Sequence, residues 1–579
     1  MLKILVRLAW FFNVHKWRYL FAIFILIIAS ILELVPAFLI GSAIDLFQRG
    51  SLGIDEAIQL TTVLITVIVL GYALNYIWMR SLLGGAYLLE RTLRSRFMRH
   101  LYLMDPPFFE KRSTGDLLAR GTNDMKAISM TAGIGILTLV DAVIFMGLIL
   151  GAMVIVIDWR LTLAAALPLP IIAITVTILG KMIHTRFSSA QAAFGKLNDR
   201  VLQSVAGMRV IRAFRKEKAD EQQFEAQSKG VFDRFVRVAR VESFFDPIVN
   251  IVVGLSYVIG LGYGAYLVFQ QQLTLGQLIT FNLYLGMLIW PMFAIGELVN
   301  IMQQGSASYE RVHDTMGTKK SVPEPHAPVP LKSHAPIVFQ DVCFSYPSTS
   351  QNQLDRISFT VNRGETIGVV GRTGSGKSTL VKQLLKYYPS GSGEMTIGGV
   401  PIRELSQQDM RSLIGYVPQD HLLFSLTVRE NLLFSTPNAT DAQINDAIQS
   451  AAFTEDVRFL PDGLETRVGE NGVSLSGGQK QRISIARALL TDPEILILDD
   501  SLSAVDAKTE AQIVQNIAQE RKHKTTFITA HRLSAVEQAD LILVLDEGKI
   551  TEHGTHEQLI QQNGWYKAQA TKQSLRNQG

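Results

Sequence analysis

The sequence predicts a membrane all-α domain of six transmembrane helices fused to an α/β domain with a largely parallel core sheet and a phosphate-binding loop. Three observations predict it. Before about residue 315, the chain of 579 residues carries six apolar stretches, at about 19–40, 57–79, 134–157, 161–182, 247–269 and 275–302. A proline-rich segment, TKKSVPEPHAPVPLKSHAP, then fills 318–336. Beyond it, short apolar runs such as ETIGVV, EILILDD, TTFITA and LILVLD alternate with helical patterns, as a parallel α/β sheet requires. The domains are therefore placed at 1–314 and 337–579, with 315–336 as an extended, semi-rigid linker.

About 20 apolar residues are needed to cross roughly 30 Å of hydrocarbon. One such run could be a buried soluble helix, but six in one half of a chain read as a membrane domain. The first run exceeds the apolar core of a signal peptide and more spans follow it, so it is read as a retained span. Arg91, Arg94, Arg96, Arg99, Lys111 and Arg112 crowd 80–133, and Arg209, Arg212, Arg215, Lys216 and Lys218 crowd 183–245. The opposite connections, near 41–56, 158–160 and 270–274, hold only Arg49 and Arg160. Basic loops stay inside, so both termini and the second domain are expected in the cytoplasm, at the plasma membrane of a bacterium. This asymmetry accounts for the formal net charge of +4 without nucleic acid, for which no motif is present. A single cysteine, Cys343, excludes an intrachain disulfide and a cysteine-rich metal site.

The two long inner connections are rich in helix formers, so the spanning helices are expected to run on beyond the lipid. Breaks are expected at PPFFEKRSTGDLLAR, 106–120, and VIRAFRKEKADEQQF, 210–224. Short helices there either press on a cytoplasmic partner or form solvated hairpins; spacing alone leaves both open.

Chemistry concentrates in the second domain. GRTGSGKS, 371–378, fits G-x-x-x-x-G-K-[ST] and follows a predicted strand, as that motif demands. Gly371, Gly374 and Gly376 let backbone N–H groups wrap phosphate oxygens, and the next helix points its positive end at them. Lys377 neutralises the β/γ-phosphates and the Ser378 hydroxyl ligates Mg²⁺. With Arg372, Thr373, Ser375 and Thr379 these residues form the predicted cradle for ATP. The ILILDD strand brings Asp499 as the Mg²⁺ acid. Between these two motifs lies LSGGQ, 475–479, where Ser476, Gly477, Gly478 and Gln479 open a helix and expose further donors to an anion.

With these motifs in place, the sequence resembles the ATP-binding cassette family over nearly its whole length, as a half-transporter of the type IV exporter class. The resemblance implies a RecA-like fold with a helical subdomain. It further implies that Tyr346 stacks on adenine, that Gln419 touches Mg²⁺ and the attacking water, that Asp506 acts across a dimer, and that His531 contacts the γ-phosphate. TRVGENG, 466–472, resembles the X-loop of exporters. In this family two cassettes sandwich two ATP molecules head to tail, each site taking LSGGQ from the opposite chain.

The family's usual residue at position 500 is Glu, acting as base or water positioner. Asp500 reaches about 1 Å less far, and such a misplacement costs about 10²-fold in rate, or roughly 2.7 kcal/mol of barrier. Because LSGGQ is intact and serves the other site, the resemblance implies a heterodimer. This chain would bind ATP in a slow site and complete a competent one on a partner half-transporter that carries Glu there and an altered signature loop. GDLLARGTNDM, GILTLVDA, NLYLGMLIWPMFAIGEL and GYVPQDHLLFS resemble subunits of bacterial heterodimeric multidrug exporters.

Ionisable groups within spans face a cavity or a partner. Glu33, Asp141 and Glu297, with Tyr284, Trp290, Met292 and Phe293, suit small amphipathic cations through charge pairing, cation–π contact and adaptable packing. Lipid flipping and peptide export by the same architecture are the alternatives; membrane lipids contact the chain in either case.

Overall fold

The computed structural model describes residues 3–577 apart from 332–335, 348, 350, 470–472 and 474, with backbone only at 172, 173, 176, 177, 576 and 577. Contacts divide the chain into two compact units, Met1–Tyr102 with Thr114–Thr318, and Leu103–Ser113 with Lys319–Gly579. The excursion 103–113 therefore belongs with the second unit, although it interrupts the membrane half in sequence.

Among the described residues five helices are long and apolar enough to cross a membrane: Lys16–Gln48, Ile54–Leu103, Thr114–Ile157, Glu217–Phe269 and Leu275–Gly317. The remaining predicted stretch, 161–182, lies on Trp159–Ala166 and Leu169–Ala206, helices separated at Pro168. Asp158 starts the first of these by accepting from the Arg160 and Leu161 N–H groups, both at 2.8 Å. The six predicted spans are thus all helical. The helices run past the lipid as expected: 50 residues in Ile54–Leu103 make about 75 Å at 1.5 Å per residue. The third span is not uniform, because π-helical turns interrupt it at Arg120–Asp124, Asp141–Phe145 and Met153–Ile157. Such turns shift the side-chain register and recur at functional sites.

Polar clasps fix the packing of these helices. Asp45 accepts from the Thr274 hydroxyl at 2.6 Å and the Gly276 N–H at 2.7 Å, tying the first span to the start of the helix Leu275–Met287. Backbones touch there, since a Cβ on Gly276 would lie 2.0 Å from the Gly41 carbonyl oxygen. At the inner ends, Asp124 accepts from Ser308 at 2.9 Å and pairs with Arg311. The second predicted break contains the short helix Met208–Ala213, between Leu169–Ala206 and Glu217–Glu242.

Among its described residues the second unit holds two sheets. Strands β1 (Ile337–Phe344), β2 (Leu354–Val361), β4 (Ser392–Ile397) and β5 (Val400–Pro401) form an antiparallel sheet in the order β2-β1-β4-β5. The other sheet is the larger of the two. It runs from β10 (Lys549–Gly554) through β9 (Leu541–Asp546), β3 (Thr366–Gly371), β8 (Thr525–Thr529) and β7 (Ile495–Asp499) to β6 (Ile414–Val417). All its pairings are parallel except β10 with β9. Strands buried on both faces read as continuous apolar runs, which is why ILILD and the TIGVV segment carry no alternation. Strand ends of β3, β7 and β8 lie side by side, and the chemistry-bearing residues follow directly after them. The helices Asp441–Ser450, Thr454–Phe459 and Gly477–Leu489 make the helical subdomain.

Candidate active site

Strand β3 ends at Gly371, whose positive φ of 152° and close approach demand glycine: a Cβ would sit 2.1 Å from the Leu545 carbonyl oxygen. The loop then turns through Arg372, Thr373 and Gly374 into the helix Lys377–Leu384. Lys377 is buried and its ammonium donates to the Gly371 and Arg372 carbonyls at 3.0 and 2.9 Å. Burial pulls its pKa down, while the carboxylates of Asp500 and Asp499 offset part of that shift. Ser375 is also buried, and its hydroxyl has no hydrogen-bond partner among the described residues. An orphaned buried hydroxyl inside a glycine-rich turn is what an anion-binding loop leaves for a phosphate oxygen.

Beyond the intervening β8, Asp499 closes β7 at 1% exposure. Its Oδ1 accepts from the Ser378 hydroxyl at 2.7 Å and the Thr529 hydroxyl at 2.8 Å, and its Oδ2 from the Tyr416 hydroxyl at 3.2 Å. Burial and the neighbouring Asp499 hold the Tyr416 phenol well above its ordinary range, so it stays a donor. Hydroxyl and carboxylate oxygens side by side fit the donor set of Mg²⁺. Ser378 and Asp499 would hold that ion, which on binding would neutralise charge on the β- and γ-phosphate oxygens.

Asp500 lies beyond the strand in the left-handed region, with φ 47°. Its N–H donates to the Thr529 carbonyl at 3.1 Å and hydroxyl at 2.9 Å, and Gln419 Nε2 donates to its Oδ2 at 3.2 Å. Burial raises its pKa; His531 and Lys377 pull it back. His531 itself is exposed just after β8, and its carbonyl accepts from Gln573 Nε2 at 3.1 Å.

Tyr346 hydrogen-bonds Thr379 Oγ1 at 3.0 Å and meets Tyr388 edge to face, with centroids 5.0 Å apart. The Tyr388 hydroxyl in turn donates to Glu110, on the short helix Pro106–Glu110 that belongs to this unit. Its neighbour Tyr387 packs edge-on against Tyr416 at 6.1 Å. Adjacent tyrosines therefore lead from the helix 106–110 to Tyr346 and to the residue gripping Asp499.

Ser476 caps the helix Gly477–Leu489: its hydroxyl accepts from the Gln479 N–H at 3.3 Å, while Gln479 Oε1 accepts from the Ser476 N–H at 2.9 Å. Gly478 packs on the Ala504 backbone, and Asp456 holds both Gln479 and Arg482. Asp506 caps Ala507–Glu520 through the Lys508 and Thr509 N–H groups, at 3.1 and 3.0 Å. Of the loop 466–472, residues 470–472 lie outside the described residues.

Residues 19–292 match the family described as ABC transporter transmembrane region, and residues 354–503 match the family ABC transporter. The chain belongs to the ABC transporter family. A Bacillus subtilis (strain 168) protein described as the probable multidrug resistance ABC transporter ATP-binding/permease protein YheI is 53% identical over 575 residues, 99% of this chain and 98% of that protein. The Escherichia coli (strain K12) multidrug resistance-like ATP-binding protein MdlA is 39% identical over 99% of this chain and 97% of its own. The solved structure of a bacterial Atm1-family ABC exporter with ATP bound aligns at a TM-score of 0.78 and 26% identity, covering 97% and 99% of the two chains. The protein is thus an ATPase-coupled multi-pass membrane transporter with the fold of an ABC exporter half-transporter.

The membrane domain of this ABC transporter contains a cavity of about 240 Å³ lined in part by Glu33, Asn75, Trp78, Asp141, Phe145 and Trp290. Trp290 Nε1 donates to Asp141 Oδ2 at 3.0 Å, and Trp78 Nε1 to Asn75 Oδ1 at 2.6 Å. Glu33, Asp141 and Trp290 are thus brought together, and Asp141 and Phe145, at the two ends of the π-helical turn, line the same space. Tyr284, Met292, Phe293 and Glu297 are not part of this lining. The Tyr284 hydroxyl donates to the Leu34 carbonyl at 3.1 Å, Phe293 meets Phe245 at 5.9 Å, and Glu297 is exposed elsewhere on its helix. Sequence reasoning missed Asn75 and Trp78, isolated polar and aromatic residues in the second span, and Tyr416, Thr529 and Tyr388 around the nucleotide cradle.

Proposed function

We propose that the chain is one subunit of a heterodimeric bacterial exporter that drives amphipathic, cationic small molecules out of the cytoplasm by alternating access. The observation that carries this is the pairing, in one chain, of Asp500 where a longer acid serves hydrolysis with an intact, well-capped LSGGQ helix. The first weakens the chain's own site; the second completes a site on another chain. The names of the relatives described above support drug export. The resemblance of the sequence to the BmrC subunit of the bacterial BmrC–BmrD multidrug exporter supports a paired assembly in the plasma membrane, with both termini and the nucleotide-binding domain cytoplasmic.

ATP hydrolysis requires in-line attack of water at the γ-phosphorus, giving ADP and phosphate. In this reading Tyr346 stacks on the adenine, while the loop 371–379 with Lys377 holds the phosphates. Ser378, Asp499 and Gln419 would hold Mg²⁺, and Asp500 and His531 would address the water and the γ-phosphate. Each contribution is electrostatic or positional, as phosphoryl transfer demands. Asp500, tied to Gln419 and short by one methylene, is the weak member. ATP binding joins two cassettes through Ser476–Gln479 and Asp506. The helix Pro106–Glu110 and the segment 210–224 pass closure on to the spans, and hydrolysis on the partner resets them. Glu33, Asp141, Trp78 and Trp290 favour a flat cation in the cavity.

The test is Mg²⁺-ATP hydrolysis by the purified chain alone in lipid nanodiscs, with ATP binding and oligomeric state measured in parallel. Near-zero turnover with ATP bound is expected. Turnover of several per second that vanishes in Lys377→Ala would mean that Asp500 is a competent base, and the paired reading would be abandoned.

A further inference from the structure

The cytoplasmic ends of the first two spans meet in a groove of about 380 Å³ lined by Arg18, Tyr76, Ile77, Arg80 and Ser81. Arg18 lies at the start of the helix Lys16–Gln48, and Arg80 directly follows the apolar run 57–79 on Ile54–Leu103. Both guanidiniums therefore stand where hydrocarbon gives way to headgroups. Arg18 is seated against its neighbour. Its Nε donates to the Ser81 carbonyl at 2.8 Å and its Nη2 to the Arg80 carbonyl at 3.4 Å. Gly84 makes the room, because a Cβ there would lie 2.2 Å from Nη2. Five N–H donors are available on a guanidinium, so most of the fork remains for a ligand, and Arg80 beside it is exposed. Among the described residues no acid lines the groove to balance this charge. Tyr76 in the lining is 63% exposed, and Trp17, the residue before Arg18, is 77% exposed, as interfacial aromatics are.

We infer that this groove binds an anionic phospholipid of the cytoplasmic leaflet, with its phosphate between Arg18 and Arg80 and its first acyl carbons along Ile77 and Tyr76. A planar fork recognises a phosphate diester bidentately, and an apolar wall below the charge suits a tethered chain. A freely soluble phosphate has no use for Ile77 and Tyr76. The inference rests only on the placement of these spans in a membrane. It does not depend on drug export or on the strength of the nucleotide site.

Trp17 supplies the readout. The full chain is reconstituted in phosphatidylcholine vesicles containing a small fixed fraction of brominated phosphatidylglycerol, or the same fraction of brominated phosphatidylcholine. The difference from Trp17→Phe isolates the quenching of this one indole. Each arginine near an anionic lipid is worth about fivefold in binding. Brominated phosphatidylglycerol should therefore quench Trp17 several-fold more strongly, Arg80→Gln should cut that preference about fivefold, and Arg80→Lys should keep much of it. Arg80→Gln leaves the Arg18 seat intact, so lost folding does not confuse the result. Equal quenching by the two lipids, or an unchanged preference in Arg80→Gln, would overturn the assignment. So would reversal of the preference by excess soluble glycerol phosphate, which would make the groove a site for free phosphate esters. ATP turnover in the same vesicles reports separately on the exporter reading.

Discussion

Gln419 Nε2 donates to Asp500 Oδ2 at 3.2 Å, joining the start of the loop after β6 to the residue after β7. The contact fixes a carboxylate that is one methylene short of the usual hydrolytic acid. Asp500→Glu should raise turnover at the chain's own site by about 10- to 100-fold, the scale set by a 1 Å change in position. It should also lower stability, because residue 500 has φ 47° and Asp occupies that region more readily than Glu. A cost of about 1 kcal/mol should appear as a lower melting temperature. Steady-state hydrolysis and a thermal melt of the same variant check both; a faster enzyme without a stability cost would sever the link between backbone and side chain.

Burial raises the Asp500 pKa, with His531 and Lys377 pulling the other way. The native state thus holds this proton more firmly than the unfolded chain does. Between the ordinary carboxyl value and the raised one, stability falls as pH rises, because the native state binds more protons there. With Asp500 as the proposed base, activity at this site should change in the opposite sense, falling as pH falls and Asp500 protonates. Asp500→Asn should therefore flatten both the acidic limb of residual hydrolysis and the stability slope. Paired pH titrations of rate and melting temperature would show it.

The Tyr388 hydroxyl donates to Glu110, and burial together with that carboxylate keeps the phenol protonated. A hydrogen bond to a charged group contributes about 1.5–3 kcal/mol. Tyr388→Phe and Glu110→Gln should each weaken the stimulation of ATPase by transported substrate about tenfold, and the double variant should be no worse than either alone. ATP affinity should change little, since Tyr346 retains Thr379. Additive losses in that cycle would mean that the two residues act separately.

The site was legible where its residues are contiguous. A strand running into GRTGSGKS, a strand ending in two acids, and Ser476 with Gln479 three positions later each carry their local geometry in their spacing. The six spans were legible for the same reason, since length and apolarity suffice. Contacts between distant segments were not. Tyr388 and Glu110 are separated by 278 positions, and nothing local distinguishes Tyr416 from any other strand aromatic. Tyr284 shows the converse. Its type and place suggested a cavity wall, yet its hydroxyl closes on the Leu34 carbonyl and serves helix packing. The π-helical turn at Asp141 also escaped pattern reading, because an inserted residue leaves apolarity unchanged while rotating every side chain after it.

The cavity at Glu33 and Asp141 gives a charge-selective prediction. Asp141→Asn and Glu33→Gln should each lower transport of cationic dyes about tenfold, equivalent to about 1.4 kcal/mol, while changing neutral substrates less than twofold, because only the cation loses an opposite charge. Trp78→Ala should weaken both classes, as it removes stacking area as well as cation–π attraction. Fluorescent-dye efflux from inverted vesicles measures the ratio. An equal loss for charged and neutral dyes would remove the carboxylates from selectivity.

Gly276 crosses Gly41 with no room for a side chain, a Cβ lying 2.0 Å from the Gly41 carbonyl oxygen. Gly276→Ala must push the first span away from the helix Leu275–Met287, and overpacking of this kind costs about 1–3 kcal/mol. Asp45 depends on that approach, because its two oxygens reach the Gly276 N–H and the Thr274 hydroxyl together. Asp45→Asn keeps an acceptor for one of them and should cost less than Gly276→Ala. Combining the two should add little, since the glycine change already pulls the carboxylate from its partners. Melting temperatures of the three variants in one detergent decide it; independent, additive losses would mean that the backbone crossing and the carboxylate clasp are separate devices.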